Sequence, residues 1–205
     1  MSGDLSFQCR CGAVKGVVKN ISPERGTRVV CYCNDCQAFV RRLGREGDYL
    51  DEKGGSDIFQ IDPGHLQITD GADKLAAVQL TPKGVYRWYT TCCNTPVTNT
   101  MNSAAIPVAG TYFHNYDPAR RDAAIGPVRG AVFQKFARDG AGDYNALSIP
   151  LMMIKVLGRT IVARFTGAYR KNPFFNPETG APIAAPHLIS DEELESLYTG
   201  ARGEA

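Results

Sequence analysis

The sequence predicts a mainly β protein of short antiparallel strands, with zinc-type knuckles at strand ends and a helical C-terminal extension. Three observations predict it. Seven cysteines fall into three groups, Cys9-Arg10-Cys11, Cys31-Tyr32-Cys33-Asn34-Asp35-Cys36 and Cys92-Cys93, with none elsewhere. The first half consists of short β-branched or aromatic runs separated by Gly/Pro turns. The second half changes to a long apolar run at helical spacing, a proline-rich stretch and an acidic capped segment.

The strands come first. Phe7, Cys9 and Cys11 alternate, Gly12 turns the chain, and Val14, Val17 and Val18 follow, so residues 7–18 read as a strand pair. Arg28 to Tyr32 runs straight into the three-cysteine group, and Gln37 to Leu43 reads as a helical turn after it. Gly44 to Ser56, rich in Gly, Asp and Glu, reads as an exposed loop. Ile58–Ile61 ends at Asp62-Pro63-Gly64, where Pro presets φ and Gly accepts a positive φ. Runs at 65–68, 76–80 and 85–89 follow, the last leading into Cys92-Cys93. Ile106–Phe113 reads as one more strand, and Val128–Phe136 is of uncertain type.

These readings divide the chain into a zinc-binding β domain, residues 1–115, and an extension, residues 116–205, packed on it. Within the extension, Ser148-Ile149-Pro150 opens a helix over about 150–166 that Gly167 closes. Leu151, Ile154, Leu157, Ile161, Val162 and Phe165 give it one apolar face, expected to pack on the core. Lys155, Arg159 and Arg164 would also permit a partner-binding or membrane-surface role. Residues 172–186, with Pro173, Pro177, Pro182 and Pro186, read as an extended loop. Ser190-Asp191-Glu192-Glu193 is a capping-box pattern opening a final helix through Leu197, with Gly200 past its end.

Composition narrows the function. The 205 residues carry 43% hydrophobic and 21% charged side chains and a net charge of +2. That balance is ordinary for a globular protein and argues against a nucleic-acid partner. Arg41, Arg42 and Arg45, and Arg120-Arg121, read as solvated surface. Residues 1–8 show no signal-peptide pattern, and no run of about 18 uncharged apolar residues exists, so no membrane partner is expected. The expected compartment is the cytoplasm, whose reducing poise keeps thiols free for metal. An odd cysteine count also argues against a pure disulfide framework.

The cysteine spacing carries the chemistry. C-x-C on an extended backbone places two sulfurs on one side, and C-x-x-C is the tight-turn chelate of zinc sites. Asp35 sits inside this loop as a candidate proton shuttle, although an Asp there equally caps backbone N–H groups. His65 and His114 stand out through scarcity alone. Asn34 and Gln37 are candidates to orient a ligand. Iron–sulfur ligation fits poorly, because the spacing matches neither ferredoxin pattern. Thiol redox chemistry at Cys33 and Cys36 lacks its βαβ surroundings.

Phe7-x-Cys9-x-Cys11-Gly12-x-Val14-x-Gly16, then Cys31-x-Cys33-x-x-Cys36-Gln37, then Arg87-x-Tyr89 and a late cysteine, resembles the glutathione-dependent formaldehyde-activating enzyme family and its centromere protein V relatives. The resemblance covers about residues 5–115. It implies a β-tent fold and two Zn2+ ions per chain. Cys9 and Cys11 with a late pair would form a closed structural site. Cys31, Cys33 and Cys36 would hold an open, catalytic zinc. The implied function is a zinc-dependent carbon–sulfur lyase acting on a thiol adduct, glutathione-type, of a small carbonyl. The alternative is a zinc-stabilised binding module with both sites structural.

The late pair departs from the family pattern. Thr90 stands at the family's first late cysteine and Cys93 at its second; Cys92 is extra, and Asn94 replaces a glycine. If residues 92 and 93 lie in a strand, their side chains point apart and Cys92 is free to close the other site. If they lie in a turn, both reach one metal, and Asn94 and Pro96 mark a bend there.

Overall fold

The computed structural model describes residues 3–141, 143–145 and 148–199. Its chain is mostly β. A three-stranded antiparallel sheet contains β1 (Gly3–Gln8), β2 (Lys15–Ile21) and β5 (Leu66–Asp70), in the order β1-β2-β5. The larger sheet contains β3 (Thr27–Cys31), β4 (Ser56–Ile61), β6 (Leu75–Gln79), β7 (Tyr86–Thr90), β8 (Pro96–Thr100), β9 (Ala109–Tyr112), β10 (Ala131–Val132) and β11 (His187–Leu188). Its order is β10-β3-β4-β9-β8-β7-β6-β11.

Period-two alternation gives this larger sheet two apolar faces. Phe59, Ile61, Ala77 and Trp88 point toward the small sheet and pack with Leu5, Phe7, Val14 and Val18. Val29, Ile58, Val78 and Tyr112 point the other way, onto helix α1 (Asn34–Arg42) through Phe39 and Val40. Trp88 is fully buried and donates its indole N–H to Thr100 Oγ1 at 3.0 Å. Its neighbour Arg87 therefore lies on the α1 face, a placement that matters below.

The extension completes this framework. The sheets are antiparallel, as expected, except at the larger sheet's two edges. There β10 adds parallel to β3, and β11 adds parallel to β6, both from the C-terminal part of the chain. A returning segment is free to pair in either sense, because its direction is set by a long connection and not by a hairpin. Phe174 and Phe175 of the proline-rich stretch are buried, Phe174 against Trp88 at 4.9 Å between ring centroids and Phe175 stacked on Tyr86 at 6.1 Å. Helix α5 (Asp191–Thr199) packs Leu194, Leu197 and Tyr198 beside α1. Ser190 Oγ accepts from the Glu193 N–H at 3.1 Å, half of the expected capping box. Glu193 completes no reciprocal bond and instead pairs with Arg42 at 2.9 Å. The Gly200 stop lies outside the described residues.

Several other expectations need correction. The helix after the cysteines starts at Asn34, because Cys33 itself caps it. The Gly44–Ser56 loop contains a short helix, α2 (Glu46–Tyr49), since Tyr49 finds a buried site against Tyr112. The strand expected over 106–113 is confined to β9. The uncertain 128–136 run holds only β10 and a 3-10 turn at Gln134–Phe136. A short helix, α3 (Arg121–Ile125), precedes it. Arg41, Arg42 and Arg45 are not a solvated patch. Arg41 pairs with Glu46, Arg42 with Glu193, and Arg45 binds the Cys93 carbonyl.

The largest correction concerns α4 (Ile149–Thr166). It forms where expected, with Pro150 in the first turn and Gly167 in the left-handed region at φ 70°. The six side chains expected to pack on the core, Leu151, Ile154, Leu157, Ile161, Val162 and Phe165, are exposed instead. Among its described side chains only Ala163 is buried. Helical spacing fixes which residues share a face, but not what covers that face. No helix among the described residues is long and apolar enough to cross a membrane.

Candidate metal centres

Two connections build the first sulfur cluster. After β1 the chain turns at Gly12, φ 74°, which only glycine adopts without strain. The Cys9 carbonyl accepts from the Gly12 N–H at 2.9 Å, and the Cys9 N–H donates to the Val14 carbonyl at 2.9 Å. This knuckle holds the Cys9 and Cys11 Sγ atoms 3.5 Å apart. Between β7 and β8 a tight turn runs through Thr91, Cys92, Cys93 and Asn94. Asn94 adopts φ 52° and donates its N–H to the Thr90 carbonyl at 2.9 Å. Asparagine tolerates that left-handed region better than most residues, so it suits this turn position.

The turn sends both cysteines to the same place. Cys92 Sγ lies 3.4 Å from Cys11, 3.9 Å from Cys9 and 3.8 Å from Cys93. All four sulfurs lie within 4.8 Å of one another. Cys92 therefore stands with Cys93, Cys9 and Cys11 and not with the other group. Four thiolates bound tetrahedrally at about 2.3 Å from a zinc ion would lie about 3.8 Å apart. The donor set fits that ion without rearrangement of the turn. Burial acts against a charge on Cys93, but the Thr90 and Thr95 hydroxyls, at 3.3 and 3.2 Å, hold its thiol down at about 5. Burial pushes the Cys9 thiol up, so it needs a cation to ionise.

The second cluster sits where β3 becomes α1. Cys31 ends the strand. Cys33 is the helix N-cap, its sulfur accepting from the Cys36 N–H at 3.4 Å. Cys36 follows in the first turn. Cys31 Sγ lies 3.4 Å from Cys33 and 3.7 Å from Cys36. Among the described residues no fourth cysteine, histidine or carboxylate joins them. The positive end of α1 favours negative charge here.

A buried cation completes the electrostatics. Arg87 is 3% exposed. Its Nη1 donates to Cys36 Sγ at 3.7 Å and its Nη2 to Asp35 Oδ2 at 3.4 Å. Asp35 Oδ1 accepts from the Tyr198 hydroxyl at 2.5 Å, which ties α5 to the rim of the cysteine loop. Hydrogen bonding with Cys31 and Cys33, with Arg87 beside it, holds the Cys36 thiol well below its usual range. Hydrogen bonding within the trio pushes Cys31 up. Burial disfavours a charge on Arg87, but the neighbouring Cys36 and Cys33 sulfurs outweigh it and keep the guanidinium ionised. Burial and the bond to Asp35 push the Tyr198 phenol up. Three thiolates and one divalent ion sum to a charge of −1, and Arg87 lies between that charge and the Asp35 carboxylate. The trio and its cation thus suit a divalent metal with one position left for another ligand.

The remaining candidates lie elsewhere. Gln37 is fully buried and donates to the Tyr32 and Phe136 carbonyls at 2.8 and 3.1 Å, so it braces the loop. Asn34 opens α1 and is half-buried. His65 lies in a 3-10 turn, and His114 packs its ring on Tyr49 at 5.8 Å; neither joins a sulfur cluster. Sequence reasoning singled out Asp35 but missed its contacts with Arg87 and Tyr198. A cation inside the otherwise apolar run Tyr86-Arg87-Trp88-Tyr89 was a readable signal of a buried partner. Nothing in the sequence links Tyr198 to Asp35.

The model of a family of unknown function, DUF6151, matches residues 1–185, and the chain belongs to that family. No curated protein matches it. Among solved structures, a crystal structure of a Rhodobacter sphaeroides protein is similar at 19% identity and a TM-score of 0.40, covering 60% of this chain and 96% of that one.

Proposed function

We propose that this member of the family binds two zinc ions and uses its three-cysteine site as a carbon–sulfur lyase on a thiol adduct, glutathione-type, of a small carbonyl. One observation carries the reading. The first cluster gathers four sulfurs, whereas the second gathers three, and no fourth ligand joins it among the described residues. Closed four-ligand sites are structural, and three-ligand sites are the ones that leave room for a substrate. Bound zinc would supply a position that holds the substrate's sulfur as thiolate.

The chain's own residues supply the surroundings. Arg87 places a buried positive charge beside the cluster, which lowers the cost of adding an anionic sulfur there. Cys33 is half-buried while Cys31 and Cys36 are buried, so the mouth opens on the Cys33 side. Asp35 and Tyr198 form a hydrogen-bonded acid–base pair at that rim. Cleaving a hydroxyalkyl thioether releases a thiolate, a carbonyl and the proton of the hydroxyl group. Asp35 is the carboxylate placed to take that proton, and Tyr198 holds it in position.

Cobalt substitution tests the reading. Glutathione titrated into the cobalt-loaded protein is expected to shift the ligand-field bands saturably, with half of the cobalt responding. A spectrum unmoved by glutathione would mean that both metals are structural and that the chain is a zinc-stabilised binding module.

A further inference from the structure

Helix α4 exposes an apolar face that no part of the described chain covers. Leu151, Ile154, Leu157 and Phe165 are 63%, 64%, 60% and 89% exposed. At 100° per residue these four, with Ile161 and Val162, fall within one arc of about 140°. Ala163, which is buried, lies on the opposite side. Contiguous apolar exposure on this scale marks an interaction surface.

Charge identifies the occupant. The helix carries Lys155, Arg159 and Arg164, and Arg170 and Lys171 follow it. From Tyr144 to Pro177 the sequence contains no Asp or Glu. A second copy laid on this face would bring one carboxylate-free, cationic segment against another. An acidic surface meets no such repulsion. Tyr169 sits at the helix's end with the Arg164 and Arg170 guanidinium groups 6.0 and 5.6 Å from its ring. An amphipathic ring among cations suits the boundary between headgroups and acyl chains. The helix is not apolar enough to cross a bilayer, so it would lie along the surface.

We infer that α4 is a docking element for an anionic lipid surface, its apolar arc entering the acyl boundary and its cations meeting the headgroups. This inference departs from the expectation of no membrane partner and does not depend on the lyase reading.

Vesicle co-sedimentation of the full chain tests it. Vesicles of phosphatidylglycerol with phosphatidylcholine are compared with phosphatidylcholine alone. Wild-type protein is expected to sediment with the anionic vesicles at least about tenfold more strongly, and high salt is expected to release it. The double variant Leu157→Asp/Phe165→Asp alters two exposed side chains, so its metal content and circular dichroism should match wild type while vesicle binding is lost. Absence of binding to both vesicles overturns the proposal, as does equal binding to both. A wild-type dimer that the variant converts to monomer, without lipid binding, also overturns it and assigns the face to a second copy.

Discussion

Replacing Arg87 by Met separates the electrostatic role of the buried cation from its packing. Arg87 approaches Cys36 Sγ to 3.7 Å. Two unit charges at that distance attract by about 4 kcal/mol at an effective dielectric constant of about 20. The metal-loaded trio carries one net negative charge spread over three sulfurs, so the loss on substitution is about 2–4 kcal/mol. That corresponds to metal binding weakened about 30- to 1000-fold at this cluster. Global stability should fall as well, because the substitution leaves the Asp35 carboxylate and the Cys36 sulfur without their buried cation. Competition with a chromophoric chelator reads both clusters in one experiment. One ion per chain should leave the variant far more readily than it leaves wild type, and the four-sulfur ion should be unaffected. A variant that retains both ions with wild-type affinity would refute the reasoning, because the cation would then contribute nothing to the charge balance.

Three further outcomes follow from the same geometry. Cys92→Ser should remove one metal ion per chain and lower Tm by several degrees, since at this length each kcal/mol is worth about 2–4 °C; an unchanged metal count and Tm would show that Cys92 is not a ligand. Tyr198→Phe removes the hydroxyl held by Asp35 and should weaken the docking of α5 by about 1–2 kcal/mol, read as roughly tenfold faster amide exchange across Asp191–Thr199 with metal content unchanged. Unaltered exchange there would rule out that tether. In metal-free protein at pH 6 to 7, Cys93, with its thiol held down at about 5, is an accessible thiolate, whereas Cys9 remains a thiol. Iodoacetamide should therefore label Cys93 before the other cysteines of its cluster, and the preference should fade as the pH falls below about 5; mass spectrometry that finds Cys11 or Cys92 labelled first would contradict it.

The legible parts of this molecule share one property, which is short range along the chain. Gly12 after C-x-C, Cys33 before α1, Pro150 and Gly167 around α4, and Ser190 before α5 all act within a few residues of themselves. Their backbone conformations follow from local sterics and hydrogen bonding. The alternation in β4 and β7 likewise tells which residues share a face. The illegible parts depend on segments far apart in the chain. Asp35 reads as a local cap but receives a hydrogen bond from a tyrosine 163 positions later. The basic patch at Arg41, Arg42 and Arg45 reads as solvated, yet Arg42 and Arg45 find partners, Glu193 and the Cys93 carbonyl, that only the fold brings near. The proline-rich stretch reads as a loop, yet it carries two phenylalanines that close the core around Trp88 and Tyr86.

By itself the sequence determined the mainly β class, the seven-cysteine inventory and the pairing of sulfurs within each motif. Covalent spacing and backbone sterics suffice for these. Only the tertiary structure decided that Cys92 turns toward Cys9 and Cys11, that Arg87 lies buried against Cys36, and that α4 presents its apolar face outward. Each of these depends on which distant surface meets which, and that is set by how sheets and helices share a limited apolar area, a competition no local pattern encodes.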